Sequence, residues 1–108
     1  MRKRKRNGTA YEYHVARKMR WHGFIFVNHC GKSGDFGADI IARTLFFTKI
    51  VVQCKSYKGK VGVKAVQEVT AARLYYGATR AAVATNSTFT RNAEKLANAC
   101  GVELWRKY

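Results

Sequence analysis

The sequence predicts an α/β fold, a mixed β-sheet flanked by helices in the order α-β-β-β-α-β-α-β, on three observations. The run Lys49 to Ser56 (Lys-Ile-Val-Val-Gln-Cys-Lys-Ser) is dense in β-branched and apolar residues, the mark of a buried strand. Three helical segments carry start or stop signals: Thr9 and Thr90 as N-caps, and Gly23, Gly77 and Gly101 as terminators. Short apolar runs stand between those helices, so sheet and helices must share one layered core.

In chain order, Thr9-Ala10-Tyr11-Glu12 has the form of a capping box and opens a helix running to about His22. At about 100° per residue, Tyr11, Glu12, Val15, Ala16, Met19 and His22 fall within roughly 140° of one another, which makes this the inward arc. Phe24 to Asn28 is aromatic and β-branched and reads as a strand. Glycines 31, 34 and 37 with Ser33 and Asp35 form a turn-rich loop before a strand over Asp39 to Arg43, and Leu45 to Thr48 hold the reversal into Lys49 to Ser56. A second helix is expected over Val63 to Tyr76, with Val66, Val69, Thr70 and Arg73 on one face. Arg80 to Thr85 is a short strand, a third helix places Ala93, Leu96, Ala97 and Cys100 on one side, and Val102 to Trp105 adds a last strand.

A chain of 108 residues fits one domain, here expected over residues 9–108, preceded by a flexible basic arm at residues 1–8. Hydrophobic residues at 47% exceed what a disordered basic tail carries, so most of the chain should fold. The longest apolar runs are too short to span a bilayer and no secretory signal follows the basic start, so no membrane partner and a cytoplasmic location are expected. Cys30, Cys54 and Cys100 are odd in number and lack a C-x-x-C spacing, which suits reduced thiols. His14, His22 and His29 have no helical i, i+4 pair, so they are read as structural or surface residues rather than a zinc site.

Charge names the partner class. Against 21 Lys and Arg stand 6 Asp and Glu, and taking the five basic residues at positions 2 to 6 from the net +15 still leaves +10. A polyanion is the natural partner of such a body. The arm residues Arg2, Lys3, Arg4, Lys5 and Arg6, with Lys32, Lys58 and Lys60, are the candidate phosphate contacts. Charge alone cannot separate DNA from RNA, and it names no reaction.

The chemistry begins at Lys55, which ends a hydrophobic strand where an ammonium is normally excluded. Side chains alternate along a strand, so Val51, Gln53 and Lys55 share one face and Ile50, Val52 and Cys54 the other. That pattern alone also describes a strand surfacing into water. Asp39 shifts the balance, because a hairpin between its strand and the next would bring its carboxylate beside Gln53. A hard cation such as Mg²⁺ needs only one carboxylate and an amide or backbone carbonyl, with water and phosphate oxygens completing its shell. Metal and lysine together supply what phosphodiester hydrolysis requires: an activated water and charge stabilisation at the phosphate. Glu12 has a capping role with Thr9 open to it, yet its place on the inward arc also aims it at the sheet and the metal.

These residues resemble the Mrr-type branch of the PD-(D/E)XK, or restriction-endonuclease-like, nucleases. The match runs through Glu12, Gly34-Asp35-Phe36-Gly37-Ala38-Asp39-Ile40, Val52-Gln53-Cys54-Lys55, Ala84-Thr85-Asn86, Phe89-Thr90, Ala93, Ala97 and Gly101-Val102-Glu103-Leu104, or about residues 9 to 106. It implies that Asp39 binds the metal, that Gln53 replaces the usual acidic ligand with support from the Cys54 carbonyl and Glu12, and that Lys55 is the catalytic lysine. Mg²⁺ is the implied cofactor, with Mn²⁺ able to substitute. Asp35 is assigned to loop structure. Gln67 and Ser33 are possible accessory residues, although helix surface describes Gln67 equally well. An amide holds a cation less tightly than a carboxylate, so metal affinity should be low unless neighbours compensate, and Gln53 at this position is normal for the branch.

Mrr-type restriction enzymes attach this unit to a separate recognition domain, which is not visible here. A minimal DNA endonuclease acting as a homodimer is therefore expected, either a general, Mrr-like nuclease or a structure-selective one, with Holliday junction resolution its most specific form; archaeal-type resolvases have a similar fold. Two other classes compete. A non-catalytic DNA-binding module would not need Glu12, Asp39, Gln53 and Lys55 together. An RNA binder would need stacking aromatics exposed on a sheet face, for which Tyr57, Tyr75 and Tyr76 are the candidates.

Overall fold

The computed structural model describes residues 10–30 and 36–108. The eight expected elements stand in the expected order: α1 (Ala10–Trp21), β1 (Ile25–His29), β2 (Ile40–Arg43), β3 (Lys49–Lys55), α2 (Val63–Tyr76), β4 (Arg80–Thr85), α3 (Arg91–Cys100) and β5 (Glu103–Trp105). The capping residue Thr9, the basic arm and loop residues Gly31, Lys32, Ser33, Gly34 and Asp35 lie outside the described residues.

The strands form one mixed sheet in the order β1-β2-β3-β4-β5, antiparallel from β1 to β3 and parallel from β3 to β5. The tight turn after β2 permits the antiparallel pair, whereas α2 and α3 each carry the chain back for a parallel one. The helix signals act as the sequence reading expected. The Thr90 hydroxyl accepts the Ala93 N–H at 3.0 Å, satisfying a backbone donor at the start of α3, and Gly77 ends α2 in the left-handed conformation.

Two cores cover the sheet. On one face Ile40, Ile50, Val52 and Ala84 pack under Val15, Ala16 and Met19 of α1. On the other, Val51, Ala81 and Val83 pack under Val66 and Val69 of α2 and Ala93 of α3. The alternation read along β3 is thus the division between two cores. β4 is largely alanine, and its short side chains leave room for buried residues from helices on both faces.

Strand ends differ from expectation by a residue or so, for local reasons. β1 begins at Ile25 and reaches His29, and its register with β2 shifts between Ile25 and Asn28. Phe26, in that irregular stretch, has a left-handed φ of 50° and is left exposed. β5 begins at Glu103 because the Val102 N–H is spent on the Ala97 carbonyl, closing α3. Among the described residues no helix is long and apolar enough to cross a membrane.

Candidate active site

The carboxyl end of β3 is where the parallel and antiparallel halves of the sheet meet, and it opens into a cleft of about 610 Å³. Asp39, one residue before β2, is delivered there by the hairpin. Its N–H donates to the Val52 carbonyl at 2.8 Å, and its Oδ2 accepts the Cys54 N–H at 2.8 Å. Those two bonds fix backbone and carboxylate against β3. Burial pushes the Asp39 carboxyl above the ordinary carboxylate value, while the Cys54 N–H and the nearby Lys55 ammonium pull it partly back. The group would be relieved by further positive charge.

Gln53 is only 7% exposed. Its Nε2 donates to Glu68 Oε1 at 2.8 Å, and the same oxygen lies 3.6 Å from Lys55 Nζ. An ionised carboxylate only accepts, so Glu68 decides which way the amide faces: the NH₂ turns toward α2 and Oε1 turns away. That Oε1 is buried and has no hydrogen-bond partner among the described residues. A buried acceptor left open is costly and rare, so it points to a group that would complete it.

Glu12 reaches the same cleft from α1, on the opposite face of the sheet. Because the cleft lies at the strand end, both faces contribute to it. The structure therefore brings Glu12, Asp39, Gln53, Cys54 and Lys55 to one opening. Gln67 is not among them: it is exposed on the far side of α2. Lys58 and Lys60 are exposed in the segment after β3, whereas Arg2, Lys3, Arg4, Lys5, Arg6, Lys32 and Ser33 lie outside the described residues.

Glu68 is the site residue that the sequence reading missed. Taking α2 at about 100° per residue, the buried Ala65, Val66, Val69 and Ala72 span roughly 120°, with Glu68 about 40° beyond one edge and Gln67 nearly opposite. The alanines carried the signal. Judged from Val66, Val69, Thr70 and Arg73, the inward face is rotated away from Glu68. The contact also explains Gly37: a Cβ there would stand 2.2 Å from the Glu68 carbonyl oxygen, and its φ is +82°. Only glycine lets the loop before β2 lie on α2 at this point.

The cysteines beside the site are not poised as nucleophiles. Burial, with Asp39 adding to it, pushes the Cys30 thiol up to about 11, and the same two causes hold Cys54 well above its usual value. Two histidines serve the fold: His14 Nε2 lies 3.0 Å from the Tyr108 carbonyl and His22 Nδ1 2.9 Å from the Tyr108 hydroxyl, tying α1 to the segment after β5.

The donor set suits a hard divalent cation. Asp39 is a half-buried carboxylate whose charge a cation would offset, and Gln53 Oε1 is an oriented oxygen unsatisfied among the described residues. Among the described residues no three His, Cys, Asp or Glu side chains converge as a ready cage. Mg²⁺ needs none, since it keeps several waters and takes one or two protein oxygens plus those of a phosphate.

Comparison with known proteins adds the family. The Mrr catalytic-domain model, described as "Restriction endonuclease", matches residues 4–108. The chain belongs to this restriction endonuclease family. An uncharacterized mitochondrial protein of Schizosaccharomyces pombe is 38% identical over 68 residues, 57% of this chain and 27% of that protein. Among solved structures, the protein of unknown function AF1548 aligns at a TM-score of 0.69 and 23% identity, over 88% of this chain and 55% of that one. A repair endonuclease from Pyrococcus abyssi aligns at 0.64 and 17%, over 96% and 48%, and apo EndoMS at 0.60 and 16%, over 92% and 47%. These structural likenesses establish a shared fold. The Mrr-type domain spans about a quarter of the curated relative and about half of each solved neighbour.

Proposed function

We propose that this domain is a metal-dependent DNA endonuclease whose cation, Mg²⁺ or Mn²⁺, is held by Asp39 and Gln53 Oε1 with help from the Cys54 carbonyl and Glu12. The observation that carries the proposal is the buried Gln53 Oε1, unpartnered among the described residues, oriented by Glu68 and set in one cleft with Asp39 and Lys55. Family membership and the basic body support DNA as substrate, as does the likeness to EndoMS, whose fold has been solved with double-stranded DNA.

When bound, such a cation supplies Lewis-acid charge at a phosphate oxygen and an acidified water. The protein's own groups do the rest. Lys55 holds an ammonium in the cleft with Asp39 and Gln53, where it would offset the negative charge that builds on the phosphoryl oxygens as water adds to phosphorus and the leaving oxygen departs. Glu68 keeps that ammonium and the Gln53 amide in fixed relation, so neither reorganises during the reaction. Glu12 places a second carboxylate at the cleft, able to bind the cation or one of its waters.

The test is cleavage of linear duplex, single-stranded, flapped and four-way-junction DNA with Mg²⁺ or Mn²⁺. Asp39→Ala and Lys55→Ala should each lose about 10²-fold or more in rate. Full activity in both variants, or cutting without metal, would overturn the mechanism. Tight DNA binding with no cleavage under any metal would favour the binding-module alternative. Junction resolution by a homodimer is the narrowest form of the proposal; selective cutting of the four-way junction by a species of twice the chain's mass supports it.

A further inference from the structure

One wall of the cleft is aromatic, and the chemistry above does not use it. Phe36, three residues before Asp39, stacks on Tyr75 of α2 with ring centroids 3.9 Å apart and planes 6° from parallel. Tyr76 meets both rings edge-on, at 6.3 Å from Phe36 and 4.9 Å from Tyr75. Tyr76 packs against the α2–α3 core, but Phe36 and Tyr75 belong to neither buried cluster. They are 43% and 61% exposed, and both line the cleft that holds Asp39 and Lys55.

The placement along α2 gives this wall a scale. Glu68, Ala71 and Tyr75 share one stripe of the helix and all line the cleft. Tyr75 is seven residues from Glu68, about 10 Å along the axis. Ala71 between them is small and leaves the floor of the cleft open. A strand whose phosphate sits at the Asp39 and Lys55 end would thus have a flat aromatic surface in the same cleft, about 10 Å along α2 from Glu68. Aromatic faces next to a cationic track are how proteins hold unstacked bases, whatever the sequence. A fully paired duplex keeps its bases stacked on each other and cannot offer one to this wall without extruding it.

We infer that the Phe36–Tyr75 wall stacks an unpaired nucleobase of the DNA strand beside the phosphate to be cut, so that the enzyme prefers sites where that base is already unpaired. The inference rests on the nuclease reading for the neighbouring phosphate, but the stacking itself can be read without cleavage.

The experiment places 2-aminopurine at an unpaired position in a single strand or a mismatch, and at the equivalent paired position in a duplex. Binding is followed by fluorescence in the Asp39→Ala protein without metal, and cleavage in the otherwise unaltered chain. The unpaired probe should be quenched on binding. The double variant Phe36→Leu/Tyr75→Leu, which keeps apolar volume but removes the π-faces, should lose the quench. It should also weaken binding of the unpaired substrate about tenfold relative to the paired one. Circular dichroism and thermal melting confirm that this variant is folded. Equal weakening of both substrates, or an unchanged quench, overturns the inference and leaves the rings as a brace between loop and helix. If the unaltered chain cuts no substrate while the quench and its loss in the leucine variant are seen, the stacking stands and the nuclease reading falls.

Discussion

The two ends of the β2–β3 hairpin are held by different kinds of contact. At the Asp39 and Lys55 end, the side chains are fixed by partners distant in sequence: Asp39 by Cys54, and the Gln53 NH₂ and Lys55 by Glu68 of α2. At the turn, the bonds are local. Thr44 Oγ1 accepts the N–H groups of Phe46 and Thr48, and the Arg43 guanidinium donates to the Phe47 carbonyl. Leu45, Phe46 and Phe47 then project outward, Phe46 with 91% of its surface exposed, and Phe47 adopts a left-handed φ of 63°. One end depends on the whole fold and the other on five residues, so substitutions at the two ends should have effects of very different size.

The largest effect should come from Gly37→Ala. A methyl group forced toward the Glu68 carbonyl, at a φ that alanine resists, should cost about 2–4 kcal/mol and lower Tm by roughly 10–20 °C. Thermal melting with and without DNA checks this, and an unchanged Tm would mean that the loop does not rest on α2. Next comes Glu68. Removing an outer partner of metal-facing groups typically costs about 10–100-fold, so Glu68→Ala should weaken Mn²⁺ binding by calorimetry and slow cleavage by that amount. Glu68→Gln, which can still accept from Gln53 but cannot pair with the Lys55 charge, should fall between the two. Equal behaviour of both variants with the unaltered chain would make Glu68 incidental.

A smaller effect is expected near the turn end of the sheet, where Arg80 donates two 2.7 Å hydrogen bonds to Glu103 across β4 and β5. Hydrogen bonding from Arg80 holds the Glu103 carboxyl below its ordinary value. For an acid lowered by folding, the stabilisation is present above the unfolded pKa and is lost as pH falls through the lowered one. Glu103→Gln should therefore cost at most about 1 kcal/mol at pH 7, because the pair is over a third exposed, and the gap should narrow as pH falls below about 4. Smallest of all, Phe46→Ser should change stability by less than about 0.5 kcal/mol and leave cleavage rates alone. A large loss of activity there would show that the turn end is joined to the site after all.

The same contrast marks what could be read from the sequence. Caps, terminators and strand alternation are local chemistry, and they put all eight elements in order, with α2 and β4 at their observed bounds. Asp39 and Gln53 could be brought together because a short hairpin allows few registers. Glu68 could not, since its role depends on how α2 is rotated against β3. That rotation was obscured because α2 buries alanines while leaving Leu74 and Tyr75 exposed, so its apolar pattern is nearly uniform around the axis. The aromatic wall was hidden for a related reason: Phe36 and Tyr75 are 39 residues apart in the sequence and meet only because Gly37 admits the loop to the helix.

The seat of Gly37 on Glu68 has a consequence for the order of events during folding. A chain that has closed its hairpin but not yet docked α2 already owns Asp39 and Lys55, yet its Gln53 amide can spin and its lysine has no fixed direction. On the proposed reading, the site is complete only once α2 has docked, because Glu68 of that helix orients both Gln53 and Lys55. If the proposed chemistry holds, that dependence is an interlock: a molecule with α2 undocked would lack the oriented amide that the proposed cation position needs.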